Sequence, residues 1–400
     1  MNVKTLTATI LGKMPETGKW QSDFLQKNFD LQCRLRGRHN FLNMCRYSDF
    51  NESTFHNNYG KDFDFFSFNL LLSEQYSSSE RINAFDPSHI SKSGKHTPGT
   101  GFYWSGCAGH NKWGLEIGGF ASVDIVNNTA MHLEANQTLG QAEYPNLLVY
   151  YAALVCLHAD KLKKVSKYLA VDAYFSRFPF IDEVCATGLE IICRLRDDAN
   201  LLYPYVGPHP KRQGAKTKYI DKFDPRNLDE SYFTCCVEEE DYRIFEATLY
   251  SVALKRYIRV AVMHVYKEDG SIKLHNIYFS TDLTLSGANI YAYYKARYQI
   301  EFLYRDAKQY AGLEHCQSKS ETKLHFHFNT ALTTVSIVKA IYHLSQPIEQ
   351  RNPFSMADIK TQYFNELIFD LIISKCGINP HEPKIIAIKK NVLNFGKIRA

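Results

Sequence analysis

Hydrophobic and polar positions follow two different periods along this chain. Over residues 1–75 the pattern is mainly helical with mixed polarity. Ser48, Asp49 and Asn51 supply N-cap residues there for a helix-turn-helix-like arrangement, with an ordinary helical cap on the next domain as the plainer alternative. At 81–86 (RINAFD) the pattern becomes that of a strand ending on Asp86, and the loop SKSGKHTPGTG after it belongs on the surface. Residues 114–124 (GLEIGGFASVD) and 129–138 (TAMHLEANQT) read as two strands joined by hairpin-turn residues at 125–128. An apolar-periodic helix covers 146–166. The run YLAVDA at 168–173 is almost wholly apolar, as a buried central strand should be. A helix near 179–187 and an apolar strand at 189–196 follow. Further on, 257–266 and 271–280 form a hairpin around Asp269-Gly270. Residues 291–313 read as one helix, 323–344 as an amphipathic helix, and about 356–376 as a last apolar helix before a basic end.

Three meandering strands followed by alternating helices and strands is the order of an RNase H-like core, which needs a closing helix; the helix at 286–313 is the candidate. The expected fold class is therefore α/β: an RNase H-like mixed sheet with flanking helices, interrupted by a β-rich insertion, plus an N-terminal helical region. Expected boundaries are 1–75 for the N-terminal helices, 76–196 for the first part of the core, and 197–285 for the insertion. The second part of the core, with its closing helix, takes 286–345, and a helical tail takes 346–400.

The closing helix carries the densest chemistry. In YAYYKARYQIEFLYRDAKQYAGL, Tyr294, Arg297, Glu301 and Lys308 fall within roughly 60° of one another on one helix face. Ala296, Ile300, Leu303, Ala307 and Tyr310 occupy the opposite face and can pack into a core. A carboxylate flanked by two cations and a phenol suits a metal ion beside phosphate oxygens.

Two more carboxylates stand at strand ends that an RNase H-like sheet makes neighbours: Asp86, and Asp172 in YLAVDAYFS. Taken alone, each is an ordinary cap or turn residue, and Glu301 beside Arg297 and Arg305 is an ordinary helical ion-pair network. Brought together, three carboxylates repel strongly unless cations lie between them. Two divalent ions would satisfy them, and oxygen coordination favours Mg²⁺, with Mn²⁺ as a substitute. Asp124 is the rival for the first position, whereas Asp197 and Asp198 read as a turn.

Composition adds limits. Of 400 residues, 45% are hydrophobic and 14% aromatic, which indicates a folded chain. The formal charge of +5 permits a nucleic-acid partner without arguing for one, so a basic surface must come from clustering. Such clusters occur at Arg34, Arg36, Arg38 and His39, at Lys92, Lys95 and His96, and in the loop holding Lys211, Arg212, Lys216 and Lys218. Ten scattered cysteines without a CxxC or zinc spacing read as free thiols in a reducing compartment. Neither a signal peptide nor a membrane span is expected.

The spacing of Tyr294, Arg297, Glu301 and Lys308 resembles the Y-x2-R-x3-E-x6-K signature of a large group of bacterial insertion-sequence DDE transposases. The resemblance extends over about 80–345 and matches the family's first two aspartates to Asp86 and Asp172. It implies that Asp86, Asp172 and Glu301 hold two metal ions, and that Tyr294, Arg297 and Lys308 grip DNA near the cut. It implies that transposon ends and target DNA are the partners and that a homodimer works on paired ends; the N-terminal helices are expected to bind the ends. The setting implied is the bacterial cytoplasm, at the nucleoid, with no membrane. Lys92, Lys95, Lys211, Arg212, Lys216 and Lys218 are further candidates for DNA contact. Some relatives stack a tryptophan of the insertion on a flipped base; here Trp20, Trp104 and Trp113 all lie elsewhere. The competing readings are a catalytically silent DNA-binding regulator or decayed copy, and another RNase H-like DNA nuclease.

Overall fold

The computed structural model describes residues 2–94, 96–140, 143–205, 207, 218–351 and 353–398. Five helices come first: α1 (Val3–Leu11), α2 (Lys19–Arg34), α3 (Phe41–Arg46), α4 (Glu52–Tyr59) and α5 (Phe65–Tyr76). Side chains of Asn2, Asn40, Asn51 and Asp64 cap four of them by accepting a backbone N–H of the first turn. Strands β1 (Arg81–Ser91), β2 (Gly101–Ser105), β3 (His110–Asp124) and β4 (Thr129–Gln137) precede α6 (Leu147–Leu162). Then come β5 (Tyr168–Ala170), α7 (Phe178–Ala186) and β6 (Glu190–Leu195).

The β-rich segment holds β7 (Leu201–Pro204), β8 (Tyr219–Lys222), β9 (Thr234–Glu238), β10 (Tyr242–Ser251), β11 (Arg256–Tyr266) and β12 (Ile272–Ser280). Helices α8 (Gly287–Arg297), α9 (Gln299–Tyr310), α10 (Glu321–Lys339), α11 (Met356–Lys375) and α12 (Pro383–Leu393) complete the chain. All the strands join one mixed sheet. β4-β3-β1 is antiparallel, β5 and β6 run parallel to β1, and β12 continues antiparallel from β6 into the inserted strands. With the helical region ahead of it, this is the arrangement expected of an RNase H-like DDE fold.

Strand alternation sorts the core into two sides. Phe85, Phe120 and Leu133 pack with α6 and α7, while Ala84, Ile117 and Ala121 pack with α8, α9 and α10. Asp86 has the parity of Ala84, so it faces α8 and α9. Helices α1, α2, α4 and α5 also pack on α10.

Four departures from the sequence reading stand out. First, β1 does not end at Asp86 but runs on through Pro87 to Ser91, paired with the long β3 as far as Gly114. β5 pairs with β1 only at Asn83 and Ala84, so β1 is an edge on that side beyond Ala84, the setting in which a strand tolerates proline. Second, β2 forms at the end of the 91–101 loop, over residues for which no element was expected. Third, the helix expected over 291–313 is divided at Tyr298, where the amides of Tyr298 and Glu301 bond three residues back instead of four. Fourth, α12 was not anticipated.

Helix α10 is buried almost all round, and its polar residues are used on β4. Asn329 accepts from the Ala135 N–H at 2.8 Å and donates to the Ala135 carbonyl at 2.9 Å, as a neighbouring strand would. Ser336 accepts from His132 N, and Lys339 Nζ donates to the Ala130 carbonyl. These bonds satisfy the edge that β4 would otherwise leave bare inside the protein. Asn329→Ala should therefore cost about 3 kcal/mol of stability, because it orphans two buried backbone groups at once. Urea unfolding checks this; a loss below about 1 kcal/mol would show that water takes over the role.

Candidate active site

Three elements converge on the side of β1 that faces α9. Ala84 and Ala170 are partners in the parallel β1–β5 pair, and Asp86 and Asp172 each lie two positions beyond it. Both residues lie just past the paired part of the two strands, and the Asp172 charge is near enough to Asp86 to help raise its pKa. Asp172 follows β5 in extended backbone (φ −68°, ψ 161°) at the start of the turn Ala173–Phe175, and is exposed. Cys193 Sγ on β6 donates to its carbonyl at 3.1 Å and fixes that corner.

Glu301 enters from the first turn of α9, where the helix dipole favours a carboxylate. Arg297, in the last turn of α8, lies between the acids: Nη2 donates to Glu301 Oε1 at 3.0 Å, and Nη1 is 3.8 Å from Asp86 Oδ1. Nε and Nη1 are buried without a hydrogen-bond acceptor. Tyr294 stacks obliquely on Tyr278 at 4.9 Å, with the Arg297 guanidinium 5.7 Å from its ring. Burial pushes the Asp86 carboxyl up to about 7; Arg297 opposes this, while Glu301, Asp172 and Glu116 add to it.

The three acids thus share one electrostatic environment, but they do not form a closed cage. Among the described residues, no group of three or more His, Cys, Asp or Glu side chains is disposed to hold a metal ion. The Arg297 guanidinium pairs with Glu301 and lies within ion-pair range of Asp86, and so offsets part of their repulsion.

Other sequence candidates fall into three groups. Lys308 is half-buried and donates to the His89 carbonyl at 2.7 Å, so it braces β1 just beyond Asp86. Lys92 donates to the carbonyls of Cys316 and Ser318, which ties the α9–α10 linker to the end of β1. Lys218 is exposed beside β8, away from the acids in sequence and sheet order. Lys95, Lys211, Arg212 and Lys216 lie outside the described residues. Asp124, the rival for the first position, is excluded by its bonds. It accepts from the amide and hydroxyl of Ser78 and from the amide and side chain of Asn127, and so closes the β3–β4 turn.

Sequence reasoning missed Tyr304 and Gly119. The Tyr304 hydroxyl donates to the Asp86 carbonyl at 2.6 Å and fastens α9 to β1 one turn beyond Glu301. Gly119 is the register partner of Asp86, and a Cβ there would collide with the Tyr304 hydroxyl. The signal was present: Gly118-Gly119 interrupts an otherwise apolar strand pattern, which marks a close approach.

Residues 152–337 match the family model described as "Transposase DDE domain". The matched span includes Asp172, Tyr294, Arg297, Glu301 and Lys308 and leaves Asp86 outside. No curated protein matches the chain. Among solved structures, the chain aligns with "Cryo-EM structure of piggyBac transposase synaptic complex with hairpin DNA (SNHP)" at 11% identity and a TM-score of 0.36. That alignment covers 80% of this chain, which spans 59% of the length of that one. No helix among the described residues is long and apolar enough to cross a membrane.

Proposed function

We propose that this protein is a DDE transposase that binds the terminal repeats of an insertion sequence, cuts DNA at the element's ends and transfers the 3′-OH ends to target DNA. The observation that supports this most is the convergence of three carboxylates from three elements: Arg297 pairs with Glu301 and lies 3.8 Å from Asp86, and the charges of Glu301 and Asp172 both act on Asp86. Three carboxylates from three elements, open to solvent at Asp172, are a hard-oxygen donor set suited to Mg²⁺, with Mn²⁺ as a substitute. Asp86, Asp172 and Glu301 would hold two such ions, which when bound would activate the attacking water or 3′-hydroxyl and stabilise the leaving oxygen.

The chain's own residues supply the rest. Arg297 has two buried donors without acceptors, and phosphate oxygens are their natural complement. Tyr294 presents a phenol beside them, and Lys308 reaches a phosphate only by releasing the His89 carbonyl. The partners in this reading are double-stranded transposon ends and target DNA, held by a homodimer in the bacterial nucleoid. A catalytically silent DNA-binding relative is the second reading, and the pairing of Arg297 with Glu301 and its approach to Asp86, which a metal ion would have to compete with, favours it.

The test is incubation of the protein with linear DNA carrying its element's own ends, with Mg²⁺, Mn²⁺, Ca²⁺ or EDTA. Strand cuts at the element boundary with Mg²⁺ or Mn²⁺, and none with EDTA, are expected. End-specific binding with no cut under any metal would transfer the assignment to the silent reading.

A further inference from the structure

The basic loop between α2 and α3 found no role in the site chemistry, yet it is built with unusual care. Gly37 turns the chain at φ +77°. The Asn43 side chain then donates to the carbonyls of Arg36 and Arg38 at 2.7 and 2.9 Å. The amide of His39 donates to His315 Nδ1 at 3.1 Å, which fastens the loop to the α9–α10 linker. Gly312 leaves no room for a side chain against the His39 ring. With its backbone clamped, this loop presents Arg36 and Arg38 to solvent, and Arg46 is exposed on α3 beside them.

Two grooves meet at Arg38. One, of about 310 Å³, is lined by Arg36, Arg38 and Arg46. The other, of about 550 Å³, is lined by Arg38, Lys92 and Lys319 and reaches Ser91, the end of the strand that carries Asp86. Among the described residues, Arg36, Arg38, Arg46 and Lys319 form no ion pair with a carboxylate, whereas Lys92 is committed to backbone carbonyls. The Arg36 guanidinium lies 4.7 Å over the Phe364 ring of α11, which holds it without neutralising it. One acid, Glu314, lines the track and accepts from the Ser91 amide.

We infer that Arg46, Arg36, Arg38 and Lys319 form a phosphate-binding track that seats the backbone of duplex DNA and leads it to the Asp86 end of the candidate active site. The inference rests on the transposase reading for the identity of the polymer. It stands on its own for the surface: four unpaired cations, a rigid loop and two continuous grooves complement a line of phosphates and supply no base-reading contacts. The α9–α10 linker is thereby part of the binding surface as well as a connection between site helices.

The test is binding without chemistry. Fluorescence anisotropy with a labelled 40-base-pair duplex of arbitrary sequence, in EDTA, is followed across a salt series. The wild type should lose affinity linearly in log salt. Arg38→Ala/Arg46→Ala/Lys319→Ala should flatten that slope by about 2.7, at roughly 0.9 per phosphate contact removed. Arg38→Lys/Arg46→Lys should keep most of the slope, because a phosphate contact needs charge more than geometry. Binding is read in EDTA, without cleavage, so failure of the catalytic reading and failure of the track give different results. An unchanged slope in the triple variant, or no duplex binding by the wild type, overturns the track. Equal competition by an unpaired strand overturns the duplex as its occupant.

Discussion

Asp172→Ala is expected to abolish metal-dependent DNA cleavage, by about 10³-fold or more, roughly 4 kcal/mol of lost transition-state stabilisation. The argument begins with register. Asp86 and Asp172 each follow the paired part of β1 and β5 by two residues, and of the two only Asp172 is open to solvent, so it is the acid best placed to meet an arriving ion and phosphate together. Its carboxylate accepts no hydrogen bond from the described residues that the fold depends on; the Cys193 contact is to its backbone carbonyl. Removing the side chain should therefore leave stability within about 0.5 kcal/mol of the wild type. Duplex affinity should be unchanged, since the proposed track lies on other elements. Gel assays of end cleavage with Mg²⁺, beside urea melts and anisotropy, separate these quantities. Cleavage within tenfold of wild type would remove Asp172 from the reaction. A large loss of stability would make it a structural residue.

Much of this site was legible in the sequence because its information is local. The spacing from Tyr294 to Lys308 lies on one helical segment, and local periodicity predicts which face those residues share. The division at Tyr298 was invisible because that residue keeps helical angles (φ −58°, ψ −17°), so no breaker residue marks it. The buried strand read over 168–173 announced itself by composition; it proves shorter, Tyr168–Ala170, and Asp172 stands just past its end. Errors arose where tertiary structure reassigns a local signal. The strand read as ending on Asp86 runs on to Ser91, and the shortness of β5 leaves the edge on which Pro87 is tolerated. Helix α10 read as amphipathic because Asn329, Ser336 and Lys339 count as polar, yet they are buried against the β4 edge. Asp124 was a credible rival for the first carboxylate until its four bonds to Ser78 and Asn127 were seen. The interposed Arg297 could not be read either, since the sequence puts it on the right face but does not reveal that it pairs with Glu301 and approaches Asp86.

Gly119→Val should damage stability and chemistry together, and it tests how the acids are held. Gly119 faces Asp86 across the β1–β3 pair, and the space where its side chain would be is filled by the Tyr304 hydroxyl. A valine there must expel Tyr304, which breaks its bond to the Asp86 carbonyl and pushes α9 off the sheet. Overpacking a dense core costs about 1–3 kcal/mol, and the lost bond adds about 1 kcal/mol. Glu301 sits one turn before Tyr304 on the same helix, so it moves with it. A misplacement of about 1 Å can cost on the order of 10²-fold in rate. Tyr304→Phe separates the two effects: it removes the bond and keeps the ring, so it should cost about 1 kcal/mol and lower cleavage less than Gly119→Val does. In the double variant Gly119→Ala/Tyr304→Phe, the loss of the hydroxyl opens room for one methyl group, and stability should recover above that of Gly119→Ala alone. If instead Gly119→Val melts and cuts like the wild type, Tyr304 does not set the distance between α9 and β1, and the positions of Asp86 and Glu301 must be fixed by Arg297 alone.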